Sequence, residues 1–180
     1  MKRAVVVYCS KYGFTKTYAS WLADSLSCDL YDSHHILVSQ LMKYDVILFG
    51  GGIYAGSISG ASLIKKNFTS LKDKTLVIFT VGLGDPAVSD VFSEVEGQFT
   101  PEIKSAIHFF HLRGGIDFPT LSFLHRMMMA MMKKMLLKKS EKERTNGDRE
   151  LLKLWGTKVD FTDQKSLTPI LTFTKGALER

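Results

Sequence analysis

Only two cysteines, Cys9 and Cys28, occur in the 180 residues. That excludes a disulfide framework and fits a reducing cytosol, so a cytoplasmic protein is expected. No apolar run approaches the roughly 18 residues of a membrane span. The run Ala4–Cys9 behind Lys2-Arg3 meets Ser-Lys-Tyr-Gly with no small-residue cleavage pattern, so it is not read as a secretory leader. The five histidines (His34, His35, His108, His111 and His125) lack metal-ligand spacing, and no metal is expected. There is no G-x-x-x-x-G-K-[ST], which removes the loop that nucleoside triphosphatases use. Repeats and low-complexity linkers are missing too, and one domain spanning 1–180 is expected.

What is present begins at the N-terminus. Ala4-Val5-Val6-Val7-Tyr8-Cys9 reads as a buried strand, with Cys9 as a small core residue. Ser10-Lys11-Tyr12-Gly13-Phe14-Thr15-Lys16-Thr17 follows, and then Ala19, Leu22, Ala23 and Leu26 recur at helical spacing. Strand, tight loop and helix N-terminus in that order make an anion site, because the first helical amides lack internal partners and the helix dipole favours negative charge. Ser10, Tyr12, Thr15 and Thr17 add hydroxyls, which suits a terminal monophosphate.

Further along, strands are expected at Cys28–Asp32, Asp45–Phe49, Thr75–Val81 and Ile107–Leu112. Helices are expected over Ser59–Leu71, with Ser59 as cap, and around Ser89–Ser105, broken near Gly97 and Pro101. Continuous apolar strands alternating with helices predict a five-stranded parallel sheet between helical layers, in the order 2-1-3-4-5. Ligands of such sheets bind at the carboxyl ends of strands, where the order reverses. The loops 10–17, 50–57 and 82–85 lie at those ends and describe a pocket for a flat, phosphorylated ligand.

The net charge of +6 is unevenly placed. Arg113–Arg149 holds nine basic residues against four acidic ones, about +5 of the total. Within it, Leu121, Leu124, Met128, Met131, Met132 and Met135 fall on one side of a helix-like segment 121–137. Ser122, Arg126, Lys133 and Lys134 fall on the other. This pattern suits peripheral membrane contact through 121–139, docking of a partner protein, or packing on the chain's own core. No zinc spacing, aromatic-interleaved strand or helix-turn-helix accompanies the lysines, so nucleic acid is not expected.

The loop Ser10-Lys11-Tyr12-Gly13-Phe14-Thr15 resembles the [ST]-x-T-G-x-T loop of the flavodoxin family, with Tyr12 in place of the middle threonine. The resemblance runs over about residues 3–115. It implies a flavodoxin-like three-layer α/β sandwich and bound flavin mononucleotide (FMN). It also implies phosphate contacts from Ser10, Lys11, Tyr12, Gly13, Phe14 and Thr15. Gly52, Ile53, Tyr54, Ala55 and Gly56 then stand on one side of the flavin ring, and Gly82, Leu83 and Gly84 on the other. The segment 116–149, with Phe118-Pro119-Thr120-Leu121-Ser122-Phe123 leading into the methionines, is similar to the basic insert of flavodoxin-type protoporphyrinogen dehydrogenases. So is the return to Val159-Asp160-Phe161-Thr162-Asp163. That resemblance implies an oxidoreductase passing electrons from a tetrapyrrole to a quinone, loosely membrane-associated. The segment departs from that pattern in carrying few aromatics.

Flavin enzymes leave the hard chemistry to the cofactor, while the protein binds and tunes it. The 82–85 loop has no aromatic and only Asp85 as an acid, so Tyr54 is the candidate stacking residue. A reduced flavin is then less destabilised than in an acidic electron shuttle. The alternative is a non-catalytic electron carrier serving a partner reductase; a third is an interaction module without flavin. Gly50-Gly51-Gly52-Ile53-Tyr54-Ala55 fits G-x-G-x-x-A, but no acid follows to hold a ribose. A receiver domain needs acids where Cys9-Ser10 stand. No side chain stands out as an acid or base; Tyr54, His111, Arg113 and His125 are candidates.

Overall fold

The computed structural model describes residues 2–87 and 91–180. Five long strands, β1 (Ala4–Cys9), β2 (Asp29–Asp32), β3 (Val46–Tyr54), β5 (Thr75–Gly82) and β6 (Ile107–Arg113), form one parallel sheet. Their order is β2-β1-β3-β5-β6, which is the expected 2-1-3-4-5 of the long strands. A two-residue strand, β4 (Ser57–Ile58), folds back antiparallel on the end of β3. Two short strands outside this sheet, β7 (Gly115–Asp117) and β8 (Lys158–Asp160), pair antiparallel with each other.

Side chains alternate between two cores, which is why the strands read as unbroken apolar runs. Val5, Val7, Ile47, Phe49, Leu76 and Ile78 face one side, with Leu41 of α2 (Val38–Leu41), Ile64 and Phe68 of α3 (Ser62–Leu71) and Ile103 of α5 (Pro101–Ala106). Val6, Val46, Leu48, Val77 and Phe79 face the other. There they meet Tyr18, Ala19 and Leu22 of α1 (Phe14–Leu26) and Ile170 and Ala177 of the C-terminal helix Thr168–Glu179. Cys28 is packed beside this second core, and burial with Asp29 nearby pushes its thiol up to about 11.

Three local expectations are corrected. The third strand does not stop at Phe49: it runs through Gly50, Gly51 and Gly52 to Tyr54, so the loop expected at 50–57 shrinks to a turn at Ala55-Gly56. Both turn residues have positive φ, 48° and 74°, as a two-residue hairpin turn requires. Glycines continue the strand because its neighbours are so close. A Cβ on Gly50 would sit 2.2 Å from the Phe79 ring, and one on Gly51 would sit 2.5 Å from the Ser59 carbonyl oxygen.

The next helix starts at Ser62 after Ala61, not at Ser59, because Gly60 turns the chain at φ 75° against Cys9. The expected Ser89–Ser105 helix is instead the short helix α4 (Val91–Val95), a 3₁₀ turn Glu96–Gln98 and α5, which Thr100 caps. Ser89 itself lies outside the described residues. We predict that Gly51→Ala costs about 1–3 kcal/mol through overpacking against the fixed Ser59 carbonyl. It should lower the denaturant midpoint without changing the slope.

Candidate functional site

At the carboxyl ends of β1, β3, β5 and β6 lies a mostly apolar cleft of about 580 Å³. Each wall follows from the fold. The first is the β1–α1 loop. Gly13 adopts φ 96°, its amide donates to Ser10 Oγ (3.2 Å), and its carbonyl accepts the first helical bond from Thr17 (2.9 Å). No side chain caps α1 and no acid stands in its first turn, so the amides of Phe14, Thr15 and Lys16 are left without helical partners. Ser10, Tyr12, Phe14 and Thr15 line the cleft beside this positive helix end, while Lys11 and Gly13 do not. Thr17 turns its hydroxyl back to the Gly13 carbonyl.

The second wall is the β3–β4 hairpin, from Gly52 through Ile53, Tyr54 and Ala55 to Gly56. Burial pushes the Tyr54 phenol up to about 12, so its ring is a neutral face at all ordinary pH. The third wall is Gly82, Leu83 and Gly84. His111 holds it from below. Its Nε2–H donates to the Gly84 carbonyl (3.0 Å), which leaves Nδ1 to accept from the Thr80 hydroxyl (2.8 Å). Burial lowers the His111 pKa, consistent with this neutral tautomer. Arg113 ties the same loop outward through Asp85 (3.3 Å) and reaches Glu150 (3.1 Å), with its guanidinium 3.9 Å above the Phe161 ring.

The fourth wall was not expected as part of the site: Gly114, Gly115 and Ile116 at the start of β7. A Cβ on Gly115 would lie 2.3 Å from the Val159 carbonyl oxygen and 2.6 Å from the Phe14 ring. The glycine pair after the fifth strand was the available signal. Over these walls lies α6 (Phe123–Lys138), whose N-terminus Ser122 caps. Leu121, Met128, Met129 and Met132 line the cleft, and so does Leu151 of α7 (Asn146–Lys153), which no motif marked. Leu124 departs from the expected apolar side and points to solvent. The scarcity of aromatics in the insert is met from outside it, since Trp155 packs on Phe118 and under Lys133.

His125 sets how α6 sits. Its ring stacks on Tyr54 (centroids 4.9 Å, 29°), and its Nδ1 is 2.7 Å from the Tyr12 hydroxyl. Tyr12 also accepts the Ser122 amide (3.2 Å), and the Lys11 ammonium lies 3.4 Å from His125 Nε2. With Nδ1–H donating to Tyr12, Nε2 accepts from Lys11 and every partner is satisfied. Tyr12 thus spends its hydroxyl on the insert. Among the described residues no group of three or more His, Cys, Asp or Glu could hold a metal, and no helix is long and apolar enough to cross a membrane.

A doubly wound parallel sheet with its long strands in the order 2-1-3-4-5 and a cleft at its topological switch point is a flavodoxin-like α/β fold. The family model for the flavodoxin domain matches residues 5–144, and the chain belongs to that family. Among solved structures, a WrbA-like flavodoxin from Agrobacterium tumefaciens is 26% identical with a TM-score of 0.42. The match covers 48% of this chain and 64% of that one, so the chain spans less than two thirds of it. Oxidised flavodoxin 2 from Bacillus cereus is 19% identical (TM-score 0.47), with 62% of this chain and 84% of that one covered. A flavoprotein in complex with FMN from Lactobacillus acidophilus NCFM is 16% identical (TM-score 0.44), with 63% and 93% covered. No curated protein matches the sequence.

Two predictions test this wall structure. His111→Ala takes its partner from the Gly84 carbonyl and leaves the Thr80 hydroxyl only the longer bond to the Phe110 carbonyl (3.5 Å), at a cost of about 1–3 kcal/mol. A fall in Tm of several degrees is expected, and an unchanged Tm contradicts the bridge. His125 is held below its ordinary value by burial and by Lys11. Its contribution to stability is therefore complete above the unfolded value of about 6.5 and is lost as pH falls through the lower folded value. The decline of Tm from pH 7 to 5 should be shallower in His125→Gln than in the unmodified protein.

Proposed function

We propose that the cleft holds FMN and that the protein is an oxidoreductase of the protoporphyrinogen dehydrogenase type, carrying electrons from a tetrapyrrole to a quinone. The fit rests on the residues present. The amides of Phe14 and Thr15, the Ser10 and Thr15 hydroxyls and the turn at Gly13 hold a terminal phosphate. Tyr54 with the hairpin, and Gly82–Gly84 opposite, flank a flat ring. Bound FMN supplies the electron transfer, and each cycle takes two electrons and two protons from the tetrapyrrole and delivers them to one quinone as a quinol.

The observation that carries the reading is the shared cleft. The methionine wall of α6 closes over the three family loops, so a large irregular apolar substrate meets the cofactor in one chamber. Methionine is suited to such a wall because its unbranched, polarizable chain adapts to irregular shapes. The electrostatics agree. Asp85 is paired with Arg113, and Asp117 at the cleft floor is paired with Lys158 (2.9 Å). Neither carboxylate is left to oppose negative charge on a reduced cofactor, so the two reduction potentials are expected to lie close together. A redox titration checks this, and a second potential far below the first would contradict it.

The activity test uses the full chain loaded with FMN and mixed anaerobically with protoporphyrinogen. Loss of the visible flavin absorbance is expected, restored by a quinone. Met128→Lys with Met132→Lys should retain FMN and lose this turnover by a factor of ten or more. Reduction that requires a second protein, and is indifferent to the two methionines, would instead support an electron carrier.

A further inference from the structure

We propose that the outer face of α6 docks on an anionic lipid bilayer, and that the mouth of the cleft opens on that face so that an apolar substrate enters from the lipid. Six of the eight exposed large hydrophobic residues among those described lie on this one helix, led by Phe123 at 83% exposure and Met131 and Met135 at 63% each. At 3.6 residues per turn, Phe123, Leu124, Met127, Met131 and Met135 share an arc of about 120°. His125, Met128, Met129 and Met132 line the cleft from the other side, while Phe123, Leu124 and Met127 stay more than half exposed among the described residues.

The occupant follows from charge. α6 contains no acidic residue, and Lys134 and Lys138 stand within the apolar arc with no acidic partner among the described residues. Their stems can lie along apolar surface while their ammonium groups reach phosphate headgroups. Lysine is depleted at the cores of protein–protein interfaces, so a lysine-laced apolar arc fits a bilayer better than a protein face.

Continuity with the cleft gives the surface its use. Met131 and Met135 belong to both, lining the cleft while exposing most of their surface. The rim of the mouth is therefore part of the docking face. Lipid entry rests on the reading of the cleft as the redox site; docking does not.

The test uses the full chain with FMN, phosphatidylcholine vesicles with and without phosphatidylglycerol, and a salt series. Co-sedimentation is expected with the anionic vesicles only, weakening with salt. Lys134→Gln with Lys138→Gln should reduce partitioning at least tenfold, each ammonium being worth about fivefold. Phe123→Ser with Leu124→Ser, outside the cleft, should do the same without lowering Tm. Absence of binding to anionic vesicles, or binding indifferent to both pairs, overturns the proposal. So does a dimer in solution that the serine pair dissolves, since the occupant would then be a second copy.

For entry, the reduced protein is given a long-tailed quinone embedded in the vesicles or a water-soluble analogue. The serine pair should lose turnover with the embedded quinone and keep it with the soluble one. Equal turnover of both quinones by the serine pair overturns lipid entry while docking stands. Failure to reduce either quinone in the unmodified protein overturns the redox reading, again without touching vesicle binding.

Discussion

Burial of the parallel sheet on both faces is the constraint on which the rest depends. Parallel strands must be joined by crossovers, and right-handed crossovers place helices on either side of the sheet. The helices cover the faces but leave the carboxyl edge open, where every βα loop emerges. The two cores, alternating residue by residue along β1, β3 and β5, hold that edge in register. Val7 aligns with Phe49, and Phe49 with Ile78, so the three loops emerge at one level. The uncapped start of α1 is a consequence of this scaffold, because Tyr18, Ala19 and Leu22 are buried deeply enough to hold the helix without a side-chain cap.

The insert is held differently, by a few polar and aromatic contacts at its ends. At one end stand Tyr12, His125 and Tyr54. At the other, Arg144 donates to the carbonyls of Leu136 and Leu137, satisfying the end of α6, and Arg113 reaches Glu150. Leu136 is the one buried residue of α6. Surface ion pairs contribute little each, about 0–1 kcal/mol. The insert is thus a cover clamped at its ends, while the sheet beneath it is a packed solid. The wall over the cleft is therefore held by fewer buried contacts than the loops beneath it.

Sheet order, strand positions and the α1 loop were legible because each depends on a local pattern that burial enforces. Val5-Val6-Val7 reads as a strand buried on both sides, and Gly13 before a helical stripe reads as the turn that follows it. What could not be read depended on contacts between distant residues. Gly50–Gly52 look like a loop until Phe79 on the neighbouring strand is seen to fill the space above Gly50. The apolar side of 121–137 was legible as a stripe but not as a direction. Periodicity fixes which residues share a face, whereas the rotation of the helix is set by His125 meeting Tyr12, 113 positions away. That rotation sends Leu124 outward and turns Met129 inward.

The cleft's titratable groups share a property that bears on its chemistry. Tyr54 stays protonated, His111 and His125 are neutral, and Asp85 and Asp117 are each tied to a cation. General acid–base catalysis needs a group whose pKa lies near the working pH and whose proton is free to move. His111 has both nitrogens engaged beneath the loop, so its imidazole serves as a strut. His125 alone stands at the rim, with its Nε2 facing the exposed Lys11. The interior therefore offers apolar contact and backbone amides, which is what a site needs when a cofactor performs the reaction. The lysines within the outer arc of α6 lie on the far side of the helix from the cleft, where water and salt screen them over a Debye length of about 8 Å. The positive charge of α6 thus faces away from the cleft, whose own interior is neutral and apolar.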